Sequence, residues 1–254
     1  MLKFLLISAR PGAAQQAAEY RDFLVNSGLR PWELDHVWLD SEHAKLPDLS
    51  PYAGIFIGGS PFNVTTARPT AAQLHIEQEL LGPAQSDIPS LYVCFGNSLL
   101  TTHFGGLVAQ AYQEDAGQTW VELTSAGRKD PLLSNLPLRF TSLTGHTESV
   151  LRLPETAELL ATGPTCPVQM FRLGNSTWSC QFHADMDVAA MHVRMGFYRN
   201  NGYFDPLEFE QVASKVAKVQ TKYANQILRN FVSWCTKMAS GNVGASKSLL
   251  LAAK

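Results

Sequence analysis

Through the first hundred residues, short wholly apolar runs alternate with longer segments whose apolar residues return every three or four positions. KFLLISA (3–9) predicts a strand, and AAQQAAEYRDFLVNSG (13–28) predicts a helix closed by Gly28. WELDHVWL (32–39) alternates with period two, and AGIFIGG (53–59) is an apolar strand running into glycines. TAAQLHIEQELLGPAQ (70–85) is again helical, and SLYVC (90–94) again a continuous apolar strand. Strands with no polar face, separated by helices, predict an α/β fold with a largely parallel open sheet covered on both sides.

The pattern changes after Gly106. TWVELTS and LRFTSLTGH read as strands, and PVQMFRLGNSTWSCQFH as a hairpin turning at Gly174-Asn175, so antiparallel strands are expected as additions to the parallel core. A long helical stretch is expected from Pro206 to Met238, followed by the low-complexity SGNVGASKSLLLAAK. With no repeat and no linker, the expectation is one domain over residues 1–238 and a tail over 239–254.

Composition narrows the function classes. A chain of 254 residues that is 45% hydrophobic can bury a sizeable core. Its net charge of −2 provides no basic excess for phosphates, which argues against nucleic acid as a partner. No apolar run is long enough to span a membrane, and MLKFLLISARPG lacks the features of a signal peptide, so a cytoplasmic protein is expected. The four cysteines (Cys94, Cys166, Cys180, Cys235) show no paired zinc spacing and are expected as thiols.

Cys94 stands where the strand SLYVC gives way to the helix expected near Asn97. Chemistry in open α/β sheets gathers at the carboxyl ends of strands. A sharp turn there would lift the thiol above the sheet and aim free N–H groups and a helix dipole at it, favouring a thiolate. The alternative is core filler, since cysteine is among the most buried residue types. A nucleophilic thiol needs a base, and His183 in WSCQFHADMD has Asp185 two residues on. That spacing places both on one face of a strand, where a carboxylate can orient an imidazole. The alternatives are a packed core histidine, or a metal cluster with Asp185 and Asp187 that lacks a further spaced ligand set. In GIFIGGSPFNV, the Gly59 N–H could complete an oxyanion hole with the N–H of Phe95, although a plain turn reads equally well. The Gly-Lys-Ser/Thr of a phosphate-binding loop is missing.

Taken in order, these segments resemble the class I (triad) glutamine amidotransferase family. LYVCFGNSLL resembles its Cys-x-Gly-x-Gln elbow, IFIGGSPFNV its Gly-Gly-Pro strand, CQFHADMD its Gln-Phe-His-Pro-Glu segment, and TGHTESV (144–150) its His-containing loop. The resemblance implies a flavodoxin-like fold, no cofactor and no metal. It implies Cys94 as nucleophile, His183 as base and Asp185 in place of the family's glutamate. Gly59 and Phe95 would form the oxyanion hole, with Gly58, Ser98, His146 and Thr147 contacting substrate. His146 is expected to act through its loop backbone.

Two departures stand out. Asp185 is one methylene shorter than glutamate, and Ser98 replaces the glutamine that normally helps hold the substrate, while Asn97 replaces a common histidine. The implied reaction is hydrolysis of a γ-glutamyl amide through a γ-glutamyl thioester. The expected partners are a small γ-glutamyl substrate, glutamine or larger, and a synthetase subunit that accepts ammonia. Alternatives are a γ-glutamyl peptide or polyamine hydrolase, a different cysteine hydrolase, and a non-catalytic regulatory module. MHVRMGFYRNNGYFDPLEF (191–209) is either a packed helix and turn or a rim that recognises something larger than glutamine.

Overall fold

Strand β1 (Lys3–Ser8) puts Phe4 and Leu6 on one face and Leu5 and Ile7 on the other, all buried, so the sheet around it must be covered on both sides. The structure is a computed structural model and describes residues 2–241; residues 242–254, most of the expected tail, lie outside the described residues. Helix α1 (Ala13–Ser27) ends on Gly28 at φ 75°, a left-handed position suited to glycine. β2 (Leu34–Trp38) and β3 (Tyr52–Ile57) flank β1 in parallel register. β2 is shorter than its alternating pattern and only partly buried, because it is an edge strand.

Helix α2 (Ala71–Leu81) starts on Thr70, whose hydroxyl accepts the Gln73 N–H, and a 3₁₀ turn follows over Pro83–Gln85. β4 (Ser90–Val93) runs parallel to β3, and α3 (Phe95–His103) follows directly. β5 (Leu107–Ala109) pairs with β8 (Ser149–Arg152) in a separate two-stranded sheet. β6 (Glu114–Leu123), β7 (Arg139–His146), β9 (Ala157–Thr162), β10 (Met170–Leu173) and β11 (Thr177–Cys180) complete the main sheet. Its order is β2-β1-β3-β4-β11-β10-β9-β6-β7.

The pairs from β2 to β11 are parallel, and from β11 outward they are antiparallel. Only β10 and β6 therefore run against the general direction among the described residues. The hairpin turns at Gly174, φ 54°, as its Gly-Asn pair predicts.

The expected single helical stretch after Pro206 is two helices, α5 (Phe209–Val216) and α6 (Lys222–Ala239), separated by a turn. Another helix, α4 (Val188–Phe197), precedes them and is capped by the Asp187 carboxylate accepting the Ala190 N–H at 2.8 Å. Helix α6 lies over the face of Phe4, Phe56 and Trp178 with Phe231 in contact, whereas Tyr92, Ile55 and Ile76 form the core of the opposite face.

At the end of β4 the backbone turns through Cys94, φ 56° and ψ −99°, the only non-glycine with positive φ among the described residues. Such a conformation costs roughly 1–3 kcal/mol and persists only where its surroundings enforce it. The Cys94 N–H donates to the Cys180 carbonyl at 2.8 Å, which continues the β4–β11 ladder into the turn. Gly96 then lets α3 settle on the strand, since a Cβ there would come within 2.6 Å of Tyr92 Cβ. Gly96→Ala should destabilise the fold by about 1–3 kcal/mol, the usual cost of overpacking, as measured by urea unfolding. An unchanged midpoint would show that α3 can lift without cost.

Candidate active site

Beyond Cys180 the chain leaves the regular ladder, and His183 is held by an isolated antiparallel bridge to Leu143 of β7. The expected strand through His183 is therefore broken, yet the pairing it was meant to produce survives. His183 Nδ1 and Asp185 Oδ1 lie 2.9 Å apart, and both side chains are buried. The shorter aspartate reaches because its backbone is pinned from two sides. Asn26 of α1 donates to the Asp185 carbonyl at 2.7 Å, and Asn225 of α6 donates to the Ala184 and Met186 carbonyls at 2.9 Å each. Neither asparagine carries a sequence signal, since each acts through the backbone of a segment more than thirty residues away.

Cys94 and His183 line one cavity together. Burial alone would lower the His183 pKa, but the Asp185 charge and hydrogen bond, with Cys94 beside the ring, outweigh it and raise the value to about 9. Burial likewise pushes Asp185 upward, and the charges of His183, Arg194 and Arg10 reverse this to hold it below its usual range. Cys180 is fully buried in the core, its thiol pushed up by burial and by the Asp185 charge. Cys166 and Cys235 are also buried.

The Phe95 and Gly59 N–H groups have no acceptor among the described residues, so both are available to an oxyanion. A Cβ on Gly59 would lie 3.2 Å from His183 Cε1, 3.6 Å from Cys94 Cβ and 2.6 Å from Arg10 Nη2, which places this glycine at the centre of the group. Gly58 is turned the other way. Its N–H donates to Ile7 at 3.0 Å, and it packs against the buried Glu19 carboxylate.

Two cavities meet at Cys94. The smaller, about 250 Å³, is lined by Phe95, Ser98, His146, Thr147 and Gln181, so Ser98, His146 and Thr147 share one wall. Asn97 lies behind that wall, donating to Gln181 Oε1 at 3.2 Å. His146 is the last residue of β7, not part of a loop, and its imidazole points inward. Nδ1 faces the Glu148 carbonyl at 2.8 Å and Nε2 faces Glu114 Oε2 at 3.0 Å. Glu148 also lines this cavity, and its carboxylate accepts the N–H groups of Val64 and Thr65, tying the glycine loop to the end of β7.

Glu114, His146 and Cys166 bring three potential metal ligands within 4.8 Å of one another, a convergence the sequence spacing does not reveal. The Glu114 carboxylate already accepts from Thr119, Thr144, Thr165 and Gln169 as well as facing His146. Burial pushes Glu114 up, but these hydrogen bonds, led by His146, bring it down to about 2. Burial and the Glu114 charge push the Cys166 thiol up to about 12, and it donates to Val168. A saturated carboxylate and a protonated thiol make this a hydrogen-bonded brace behind the cavity wall.

The larger cavity, about 470 Å³, opens on the other side of Cys94 and His183. Arg10, Arg194, Met191, Met195 and Tyr198 line it, so the aromatic and arginine-rich 191–209 segment supplies much of its wall through α4 and the turn after it.

A doubly covered sheet with a strained cysteine elbow at its carboxyl edge, beside a buried His-Asp pair, defines an α/β protein whose candidate site lies at the strand ends. The family described as Glutamine amidotransferase class-I matches residues 23–196, and the chain belongs to the class I glutamine amidotransferase family. A GMP synthase [glutamine-hydrolyzing] of Porphyromonas gingivalis is 33% identical over 56% of this chain, and the chain spans only 27% of that protein's length. Gamma-glutamyl peptidase 3 of Arabidopsis thaliana is 27% identical over 61% of this chain and 62% of its own. Among solved structures, a glutamine amidotransferase from Thermotoga maritima shares the fold with a TM-score of 0.74, covering 93% of this chain and 99% of that one at 17% identity. No described helix is long and apolar enough to cross a membrane.

Two outcomes follow for the His-Asp pair. His183, raised above its unfolded value, contributes stability that is complete below about pH 6.5 and is lost as pH rises through about 9. Asp185, held low, contributes above its unfolded value near pH 4 and loses that contribution as pH falls further. The unfolding free energy should therefore drop between about pH 6.5 and 10 by up to about 3 kcal/mol, and His183→Gln should flatten that drop in urea titrations. Asn225→Leu removes both carbonyl contacts at similar volume. It should cost about 1–3 kcal/mol and slow alkylation of Cys94, and a normal alkylation rate would show that Asp185 needs no such support.

Proposed function

We propose that this protein hydrolyses γ-glutamyl amides through a γ-glutamyl thioester on Cys94. The observation that carries the reading is the strained Cys94 elbow facing a buried His183–Asp185 pair in one cavity, on a chain of this family. With His183 raised to about 9, an imidazolium beside Cys94 can stabilise the thiolate that attacks. The Cys94 thiolate attacks the side-chain carbonyl carbon, and the N–H groups of Phe95 and Gly59 receive the oxyanion. As the C–N bond breaks, His183 gives its proton to the departing nitrogen, which leaves as ammonia or an amine. His183 then takes a proton from water, whose oxygen attacks the thioester; the C–S bond breaks, glutamate is released, and the thiolate and imidazolium re-form. Asp185 holds the ring in register and stabilises its charge throughout. Ser98, Thr147 and the end of β7 contact the glutamyl moiety in the smaller cavity.

The relation to GMP synthases supports a second reading, in which the ammonia passes to a synthetase partner. It is separated from free hydrolysis by whether glutamate release from glutamine accelerates when such a partner is added.

Cys94→Ser should abolish turnover and also labelling by a glutamine-like diazoketone, with the label on Cys94 in the wild type by mass spectrometry. Label on Cys166, Cys180 or Cys235 would refute the assignment. His183→Ala and Asp185→Asn should each lower kcat, and the double variant should fall far short of the product of the two losses, since such groups act as a unit. Ser98 offers one hydroxyl where a glutamine side chain would offer two partners. Glutamine should therefore bind with a KM in the millimolar range, and Ser98→Gln should improve it by about tenfold or more; steady-state kinetics that leave KM unchanged would exclude Ser98 from the glutamyl contact.

A further inference from the structure

The larger cavity is out of scale with the leaving group of glutamine. Ser98, His146 and Thr147 all fall in the smaller cavity, which leaves a second, partly open cavity beside Cys94 and His183 on the departing side, whereas ammonia needs room for only one water-sized molecule. Two features of its wall indicate what it takes. The first is positive charge with spare hydrogen-bond donors. Arg10 donates from Nε to Glu19 at 2.6 Å and from Nη1 to the Tyr198 hydroxyl at 3.1 Å, while its Nη2 has no acceptor among the described residues and lies beside Gly59. Arg194 is only 5% exposed, yet its Nε and Nη1 are without hydrogen-bond partners; Nη1 is 3.5 Å from Glu19 and Nη2 donates to Asp22 at 3.0 Å. These Arg194 atoms are sealed from the cavity, so it is Arg10 Nη2, on the cavity wall and without a partner among the described residues, that calls for an acceptor, with the Arg194 charge behind it. Glu19, which could repel an anion, is fully buried behind Arg10, bonded to it and to Ser8, and does not line the cavity.

The second feature is apolar. Met186, Met191 and Met195 sit on the same wall, close-packed below and adaptable in shape. We infer that this cavity is a leaving-group subsite for the amino-acid half of a γ-glutamyl dipeptide. Its α-carboxylate is held by Arg10, with Arg194 behind, and its apolar side chain lies among the three methionines. The reading rests on the hydrolysis proposed above and names its substrate class. The bond broken is the γ-glutamyl amide, the nitrogen receives the His183 proton, and the product leaves as a free α-amino acid where glutamine would yield ammonia. Arginine suits the carboxylate because its planar fork can donate two bonds, and a carboxylate attached to the carbon next to the scissile nitrogen lies close to the Gly59 edge where Nη2 points.

The test compares kcat/KM for glutamine, γ-glutamyl-leucine, γ-glutamyl-glycine and γ-glutamyl-leucinamide, the last lacking only the carboxylate. Wild-type protein should prefer γ-glutamyl-leucine over its amide, and over γ-glutamyl-glycine, by about tenfold or more in each case. Arg10→Met should collapse the first preference, and Met191→Trp, which fills the apolar wall, should collapse the second; thermal melts report whether each variant is folded. The wild-type ratios stand without either variant. Glutamate released equally fast from the dipeptide and its amide would overturn the subsite while leaving the hydrolysis intact. An equal loss on all four substrates in folded Arg10→Met would assign Arg10 to the thiolate and also overturn it. Glutamate from none of the four, with no label on Cys94, would overturn both readings.

Discussion

The backbone turn at Cys94 is the constraint on which the site depends. A non-glycine residue at positive φ is held there by forces on both sides. Upstream, β4 is locked between β3 and β11, and Tyr92 anchors its middle through a hydroxyl that donates to the Leu80 carbonyl and accepts the Ala84 N–H. Downstream, Gly96 removes the one Cβ that would push α3 off the strand. Strain of this kind survives only where the fold surrounding it is stable and close-packed. The parallel core therefore does mechanical work for the thiol: it keeps the side chain raised at the carboxyl edge, with the first N–H of a helix beneath it.

A second constraint is electrostatic. The site gathers Arg10, Glu19, Asp22, Asp185, Arg194 and His183, all nearly or wholly buried. Buried ions are tolerated only when paired, and here the pairs interlock: Glu19 meets both arginines, Arg194 reaches Asp22, and both arginines help hold Asp185 ionised. Asp22 is the loosest member. Burial, with the Asp185 charge adding to it, outweighs Arg194 and pushes its pKa up to about 7. One consequence is that the Asp185 charge, which raises the His183 pKa, is itself held by arginines from α4 and from the chain just after β1.

Much of the architecture is legible from pattern. Continuous apolar runs at 3–9, 53–59 and 90–94 become the buried central strands, and helices appear where apolar residues recur with helical period. The Gly-Asn turn and the Cys-x-Gly elbow are local signals, fixed by what the backbone can do over a few residues. Pattern misleads where tertiary contacts take over. The segment around His183 reads as a continuation of β11, but after Cys180 it bridges to β7. His146 reads as part of a loop, but its ring is drawn inward by Glu114. The stretch after Pro206 reads as one helix and is two.

By itself, then, the sequence determined the α/β character of the chain and the positions of Cys94, His183 and Asp185, because periodicity and short motifs are written in neighbouring residues. Only the tertiary structure decided how a short aspartate reaches the imidazole, through Asn26 and Asn225, and that two cavities meet at the thiol. It alone also brought Arg10 and Arg194, 184 residues apart in the chain, to one carboxylate. The reason is physical: a buried charge or an unpaired carbonyl is satisfied by whatever group the fold carries to it, and sequence spacing records no trace of that distance.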